Sequence, residues 1–580
     1  MKQFFKITFA CILAIFIAGF LGSILLFAGL ISISSITTPS YSPSKTSVFK
    51  LKLNSSIEER VQISPMDELK NALSDEIPSV GLNDILSSIE KAKHNKYIKG
   101  IYLNTDGYRA SYATTEEIRR KLKDFKESGK FVIAYNNNYT QNQYYLSSIA
   151  DSLFLNPVGN VWLTGLATQN MFFKNALDKL GVQMQIFRVG TFKSAIEPFI
   201  LDKMSPANRE QTETYLNSMW HTITTGISEE RNLSIDSINT LTNMGVNFMD
   251  AADIARTGLI SGLKYQTEML PLLKEITHDD DIATPDLAKI KTMKAAQKEQ
   301  KDKIALLYAV GEITDGKSDG IYWEKTVKEI EELKENDAVK AVVFRVNSPG
   351  GSAFASEQIW EAISKLKETK PVVVSMGTYA ASGGYYISCN ADYIVAEPTT
   401  LTGSIGVFGM IPNANDLLTK KIGITFDEVK TNKFGTISIT EPMTEEEKQL
   451  MQRSVENIYA LFLKRCAEGR HLSVDSIAKI AEGRVWSGVN ALQIGLVDEL
   501  GGMNAAVQKA ASLANLDKYS VEPYPVSKDF FETLMEELTE EASVSIGKHI
   551  LGEDYKQLQV LKYIRSMSPI QARMEDVTVH

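Results

Sequence analysis

The chain is written twice, and this constrains its fold more than any other feature. The segment IEKAKHNKYIKGIYLN (89–104) stands against IEELKENDAVKAVVFR (330–345), and YYLSSIADSLFL (144–155) against YYISCNADYIVA (385–396), both at an offset of 241 residues. Farther on, with small insertions, SEERNLSIDSI (228–238) matches AEGRHLSVDSI (467–477), and ARTGLISGL (255–263) matches LQIGLVDEL (492–500). A period this long exceeds that of solenoid repeats and marks a duplicated domain. Either copy therefore tests the other: what one folds without, the fold does not require.

Each copy alternates helical and extended patterns. In the second, TVKEIEELKEN has helical spacing, and AVKAVVFRVNSPGG reads as a strand ending in a turn. SEQIWEAISKLKET follows as a helix with Ile359, Ile363 and Leu366 on one face, then PVVVSMG as a buried strand and ASGGYYISCNA as the start of another helix. Val-rich strands without alternation, set between helices, predict an α/β fold whose parallel sheet is covered on both faces. The charged, Ala-rich stretch 277–303 reads as a connector between a first unit at 45–276 and a second at 304–515. Residues 516–580 are expected to form a helical extension, because DFFETLMEELTEEASVSIGKHI (529–550) is amphipathic at helical spacing.

Ahead of the repeat, residues 1–44 hold Lys2 and Lys6, then no charge until Lys45. The apolar run TFACILAIFIAGFLGSILLFAGLISISSI exceeds the roughly 20 residues that span a bilayer, and exceeds the roughly 7–15 of a cleavable signal peptide. It reads as one uncleaved transmembrane anchor with the two lysines on the cytoplasmic side and the rest of the chain outside. The alternative is a cleaved signal sequence with an extended apolar region. Of the three cysteines, Cys11 lies in this run, and Cys389 and Cys466 are too few for a disulfide framework. No spaced cluster among the six histidines predicts a metal, and no cofactor is called for. A net charge of -9 without a basic patch, a zinc-finger pattern or a phosphate loop argues against nucleic acid as a partner.

The duplication singles out one motif. Where the second copy reads AASGGYY (380–386), the first reads YTQNQYY (139–145), so Gln141 stands opposite Ser382. The glycines of NSPGG (347–351) likewise have no equal in NTDGY (104–108). The corner can be made without serine or paired glycines, so the second copy carries something more. Small neighbours let a peptide backbone approach Ser382. The Gly383 N–H and an N–H from the Gly350–Gly351 turn would then form an oxyanion hole, each donor contributing about 3 kcal/mol in the transition state. A serine nucleophile needs a base, and no histidine is placed by motif. A lysine buried among apolar groups can lose its proton near neutral pH. Lys193 in QIFRVGTFKSAIEPF and Lys433 in DEVKTNKFGTISI fall at nearly corresponding places, and spacing does not choose between them.

Taken together, the apolar N-terminus, the duplication and the motifs VGTFKSAIEPF, VNSPGGS, MGTYAASGGYYIS, LTGSIGV and GRVWSGVNALQIGLVDELGG resemble the long, duplicated form of bacterial signal peptide peptidase A, or protease IV, over nearly the whole chain. The resemblance implies tandem crotonase-like or Clp-protease-like domains and a serine endopeptidase with a serine-lysine dyad. It implies Ser382 as nucleophile and Lys193 rather than Lys433 as general base, with Phe192 where the family has tyrosine. The first unit would then supply the base and the second the serine. Ser404, in the TGSIG motif, would position the lysine. It further implies a homotetramer at the outer face of a bacterial inner membrane, facing the periplasm, with remnant signal peptides and other short unfolded peptides as substrates. Two other readings use the same glycines or the same fold: an acyl-CoA-processing crotonase-type enzyme, and a non-enzymatic membrane-anchored scaffold.

Overall fold

A computed structural model describes residues 6–8, 40–61, 79–294, 299–316, 320–525, 570–575, 577 and 579. The expected anchor and the amphipathic segment 529–550 lie outside or almost wholly outside these residues. Among the described residues no helix is long and apolar enough to cross a membrane.

The duplication is visible element by element. Helix Leu82–His94 and strand Ile98–Asn104 of the first unit correspond to Trp323–Glu335 and Val339–Ser348 of the second. Strand Ser152–Leu155 corresponds to Tyr393–Ala396, and the 26-residue helix Pro206–Arg231 to the 26-residue helix Glu445–Arg470. Their caps are repeated too: Ser205 and Thr444 each accept a hydrogen bond from a first-turn N–H of the helix they begin. The first unit builds a five-stranded parallel sheet in the order Ser47–Lys52, Ile98–Asn104, Phe131–Asn136, Ser152–Leu155, Gly262–Leu263. The second builds a larger sheet around Lys303–Val310, Val339–Ser348 and Val372–Ala381, again parallel at its centre.

The uninterrupted Val runs find both faces covered. Along Val372–Ala381, Val373 joins the core that contains the first unit's Ile101, Val132 and Leu153, whereas Val372 and Val374 join the second unit's own core. Ile304 and Leu306 face the first of these cores, Ala305 and Leu307 the second. The two units thus share one apolar layer rather than meeting through a loose linker. Part of the 277–303 stretch is held against the first sheet as well, since Ala283 and Asp286 bridge to Ser47 and Lys50.

A buried ionic cluster crosses the same boundary. Arg345 reaches Glu59 at 2.9 Å and Glu117 at 2.6 Å, and all three side chains are at most 3% exposed. Asn347 donates to Glu59 at 2.9 Å, and Arg120 forks onto the buried Glu397 at 2.8 and 2.6 Å.

A third sheet joins the units directly. Gln183–Val189 of the first unit pairs antiparallel with Val407–Asn413 of the second over all seven residues. The same sheet continues through Ile570–Arg573 to Gly350–Ser352. The described part of 516–580 therefore differs from the helical extension expected. Ser520–Tyr524 pairs with Lys303–Val310, and Ile570–Arg573 is inserted between two other strands. The helical period of 529–550 carried no information about these flanking strands.

Removing one member of the Arg345 cluster leaves carboxylates buried without their partner. Arg345→Ala is expected to lower stability by about 3–5 kcal/mol, read as a lower thermal unfolding midpoint. The exposed pair Lys365–Glu361 is the control, and Lys365→Ala should leave the midpoint unchanged.

Candidate active site

Ser382 ends the strand Val372–Ala381 and stands at the N-cap of the short helix Gly383–Tyr386. At the matching corner of the first unit, Thr140 caps helix Gln141–Ser147 through a reciprocal pair of bonds with Gln143. Gln141 there is structural: its amide bonds Thr164 N, Gly165 N, the Gly165 carbonyl and the Tyr112 hydroxyl. In the second unit Ala381 replaces Thr140, so the capping side chain is gone. Ser382 takes φ 55 and ψ -114, and its hydroxyl makes no cap bond. A non-glycine residue at positive φ is costly and is held only by its surroundings. Here the Ser382 N–H is tied to the Gly403 carbonyl at 2.8 Å, and its hydroxyl is left for chemistry.

Lys193 follows the cross-unit strand Gln183–Val189. Its Nζ lies 2.8 Å from Ser382 Oγ, 3.1 Å from Ser404 Oγ and 3.2 Å from the Ser404 carbonyl oxygen. Lys193 and Ser404 are each 1% exposed and Ser382 is fully buried. Burial alone holds the Lys193 amine well below the usual lysine range. A neutral amine has two N–H donors and one lone pair, and the three oxygens around Nζ match that inventory. The two Ser404 oxygens can accept the N–H groups, which leaves the lone pair for the Ser382 hydroxyl.

The lysine is seated by close backbone packing from the other unit. A Cβ on Gly483 would stand 2.7 Å from Lys193 Cα, and one on Gly406 3.3 Å from Lys193 Cδ. Gly483 also has φ 79, which only glycine adopts at little cost. Phe192 N–H bonds the Glu482 carbonyl at 2.9 Å, and the Arg484 guanidinium lies 4.6 Å from the Phe192 ring centre. Gln211 binds the Phe192 carbonyl and Ser194 Oγ, each at 3.1 Å, while accepting from Val485 N–H at 3.0 Å. GRVW at 483–486 thus has a duty that its letters alone did not disclose, because the lysine it seats is 290 positions away.

Of the predicted oxyanion donors, Gly383 and Gly350 come together: a Cβ on Gly350 would stand 2.7 Å from Gly383 N. The Gly383 N–H opens its helix, where donors have no intrahelical acceptor. Gly350 N–H donates to Ser348 Oγ at 3.2 Å, and Gly351 lies against the Ile313 backbone. Lys433 is elsewhere in character, with a 66% exposed side chain paired to Glu446 at the surface. Cys389 and Cys466 are buried free thiols. Among the described residues, no group of three or more His, Cys, Asp or Glu side chains could hold a metal ion.

This arrangement of serine, desolvated amine and backbone donors can carry out acyl transfer. The sequence matches the profile of Peptidase family S49 at residues 124–278 and again at 364–517, and that of Clp protease at 298–399. It is 34% identical over 581 residues to Protease 4 of Haemophilus influenzae, covering 97% of this chain and 93% of that protein. Identity to Protease 4 of Salmonella typhi is 38% over 495 residues, covering 81% and 78% of the two chains. To the chloroplastic serine protease SPPA of Arabidopsis thaliana it is 31% over 536 residues, covering 88% and 77%.

Displacing the lysine without removing it should be costly. Gly483→Ala is expected to lower kcat by about 10²-fold, the loss that follows a shift of roughly 1 Å in a catalytic group. Steady-state kinetics would measure it, and an unchanged circular dichroism spectrum would show that the fold is kept.

Proposed function

On the premise that this chain belongs to peptidase family S49 and is a serine protease with that family's serine-lysine dyad, we propose that Ser382 is its nucleophile and Lys193 its general base. The observation that carries the assignment is the 2.8 Å approach of a fully buried amine to a hydroxyl freed from helix capping.

Neutral Lys193 takes the Ser382 proton as Oγ attacks the peptide carbonyl. The tetrahedral oxyanion forms against the Gly383 and Gly350 N–H groups, the latter turning from Ser348 Oγ to the substrate. The lysine ammonium, held by Ser404, then protonates the departing amine as the C–N bond breaks. Water then attacks the acyl carbonyl while giving a proton to the same lysine, and the lysine passes that proton to Ser382 Oγ as the acyl C–O bond breaks, which releases the acid and restores both the hydroxyl and the neutral amine. In this scheme Ser404 positions the amine and touches no substrate atom. The base belongs to unit 45–276 and the nucleophile to unit 304–515, so neither unit is complete alone.

The substrates in this reading are short unfolded peptides, remnant signal peptides among them. The uncharged run within residues 8–36 anchors the enzyme in a bacterial inner membrane, with the catalytic units facing the periplasm as a homotetramer. Similarity to the Protease 4 sequences supports this.

Hydrolysis of a short apolar fluorogenic peptide tests the assignment. Ser382→Ala and Lys193→Ala should each lose more than about 10³-fold in kcat/KM, and Lys433→Ala should match wild type. Because Lys193 acts as the neutral amine, activity should rise with pH through its pKa. The acid limb of the kcat/KM profile should therefore lie well below the ordinary lysine value of 10.5.

A further inference from the structure

The long helix of the second copy shows what this element of the fold needs, and Gln211 in the first copy exceeds it. The 26-residue helices Pro206–Arg231 and Glu445–Arg470 begin from equivalent caps, Ser205 and Thr444, which sets Gln211 opposite Leu450. Leu450 is 46% exposed, whereas Gln211 is 1% exposed. A buried primary amide must find partners for two N–H groups and a carbonyl oxygen. The helix folds without one in the second copy, so the reason for Gln211 lies outside the helix.

The partners of the amide flank the proposed base. Gln211 Nε2 stands 3.1 Å from the Phe192 carbonyl oxygen and 3.1 Å from Ser194 Oγ, on either side of Lys193. It is also 3.1 Å from Asn208 Oδ1, and Asn208 Nδ2 donates at 3.1 Å to the buried Glu197 carboxylate. Residues 192, 194 and 197 are therefore held from one face of a single helix, since positions 208 and 211 are neighbours on its surface.

The oxygen of the same amide leads to Ser404. Gln211 Oε1 accepts the Val485 N–H at 3.0 Å. The carbonyl of that same peptide group, belonging to Arg484, accepts the Ser404 N–H at 2.7 Å. Ser404 has φ 47, a left-handed conformation that a residue other than glycine keeps only where its surroundings impose it. Its carbonyl oxygen and Oγ then stand 3.2 and 3.1 Å from Lys193 Nζ. Gln211, the backbone at 192–194, the Lys193 side chain, Ser404 and the 484–485 peptide thus close a ring of covalent and hydrogen bonds that passes through the base and crosses between the units.

We propose that Gln211 is a positioning residue of the reaction, which sets where the Lys193 amine stands relative to Ser404 and so to Ser382, acting through these residues rather than on the substrate. The proposal rests on the assignment of Ser382 and Lys193 above. The strand Gln183–Val189 delivers the lysine to the seam, and the ring fixes it there from both flanks against the peptide that holds Ser404. Without the amide, the 484–485 peptide loses its tie to the first unit, Ser404 is free to leave positive φ, and the lone pair of the amine is no longer aimed at the Ser382 hydroxyl. The loss falls on the chemical step and leaves substrate binding as it was.

The test compares Gln211→Met, which is close in volume and makes none of these bonds, with Thr224→Val. Thr224 lies on the same helix, is equally buried at 1% and donates to the Trp220 carbonyl at 2.9 Å, outside the ring. In hydrolysis of the short apolar peptide, Gln211→Met should lose about 10²-fold in kcat with KM unchanged, and Thr224→Val should keep the wild-type kcat. Ser404→Ala completes a double-mutant cycle. Because both residues serve one ring, the double variant should lose about as much as the more impaired single variant, not the product of the two losses. Wild-type kcat in Gln211→Met, or losses that multiply, would overturn the proposal. Gln211→Asn keeps a buried amide but is one methylene too short to span the seam, and it decides the matter if the methionine variant does not fold: a kcat lowered about tenfold supports the proposal, and a wild-type kcat refutes it. Failure of the protease assignment would instead show as Lys193→Ala hydrolysing the substrate like wild type.

Discussion

The ladder between Gln183–Val189 and Val407–Asn413 is the constraint on which the active centre depends. Seven paired residues fix the end of the first-unit strand relative to the second unit, and Lys193 is four residues beyond that end. A flexible tether would not hold an amine 2.8 Å from a hydroxyl while keeping it 1% exposed. The ladder does this with backbone hydrogen bonds, and glycines 406 and 483 remove the side chains that would keep the lysine away. The ionic cluster around Arg345 and the shared apolar layer then make the seam between the units as dry as a domain interior.

Duplication explains how such a site can exist. Both copies keep the helix and strand scaffold, the cap of the 26-residue helix and the sheet order, while the corner at residues 139–145 and 380–386 differs in its cap and in what it exposes. In the first copy every polar group at that corner is spent on structure, with Thr140 capping and Gln141 bonding the following loop. In the second, loss of the cap moves the helix start to Ser382 and forces its backbone to positive φ. The strain is retained because the freed hydroxyl meets an amine from the other copy. The same division accounts for Lys433, which sits near the place equivalent to Lys193 but pairs with Glu446 at the surface. In the proposed assignment one copy supplies the base and the other the nucleophile.

Much of this was legible in the letters, for physical reasons that differ from residue to residue. The Val-rich strands and helical spacings are local signals, and the repeat doubled each of them. Ser382, Gly383 and Gly350 were marked by contrast with the first copy. Lys193 was not separable from Lys433 by spacing, since a lysine's pKa is set by what covers it, and covering is a tertiary property; family resemblance chose between them. The roles of Gly406, Gly483 and Gln211 depend on contacts across hundreds of residues and leave no periodic trace. The strand Ile570–Arg573 leaves no signal in the letters, because a single inserted strand of four residues has no pattern of its own.

The central claim is that an amine from one unit activates a serine of the other. The most direct measurement is the rate at which a fluorophosphonate, which reacts only with activated serines, modifies the full-length chain as pH is raised, with the modified residue located by mass spectrometry. The account predicts one modified residue, Ser382, with a rate that rises through a pKa well below 10.5 and a label that is lost in Lys193→Met. Modification of a different serine, or equal labelling of Ser382 in Lys193→Met, would contradict it.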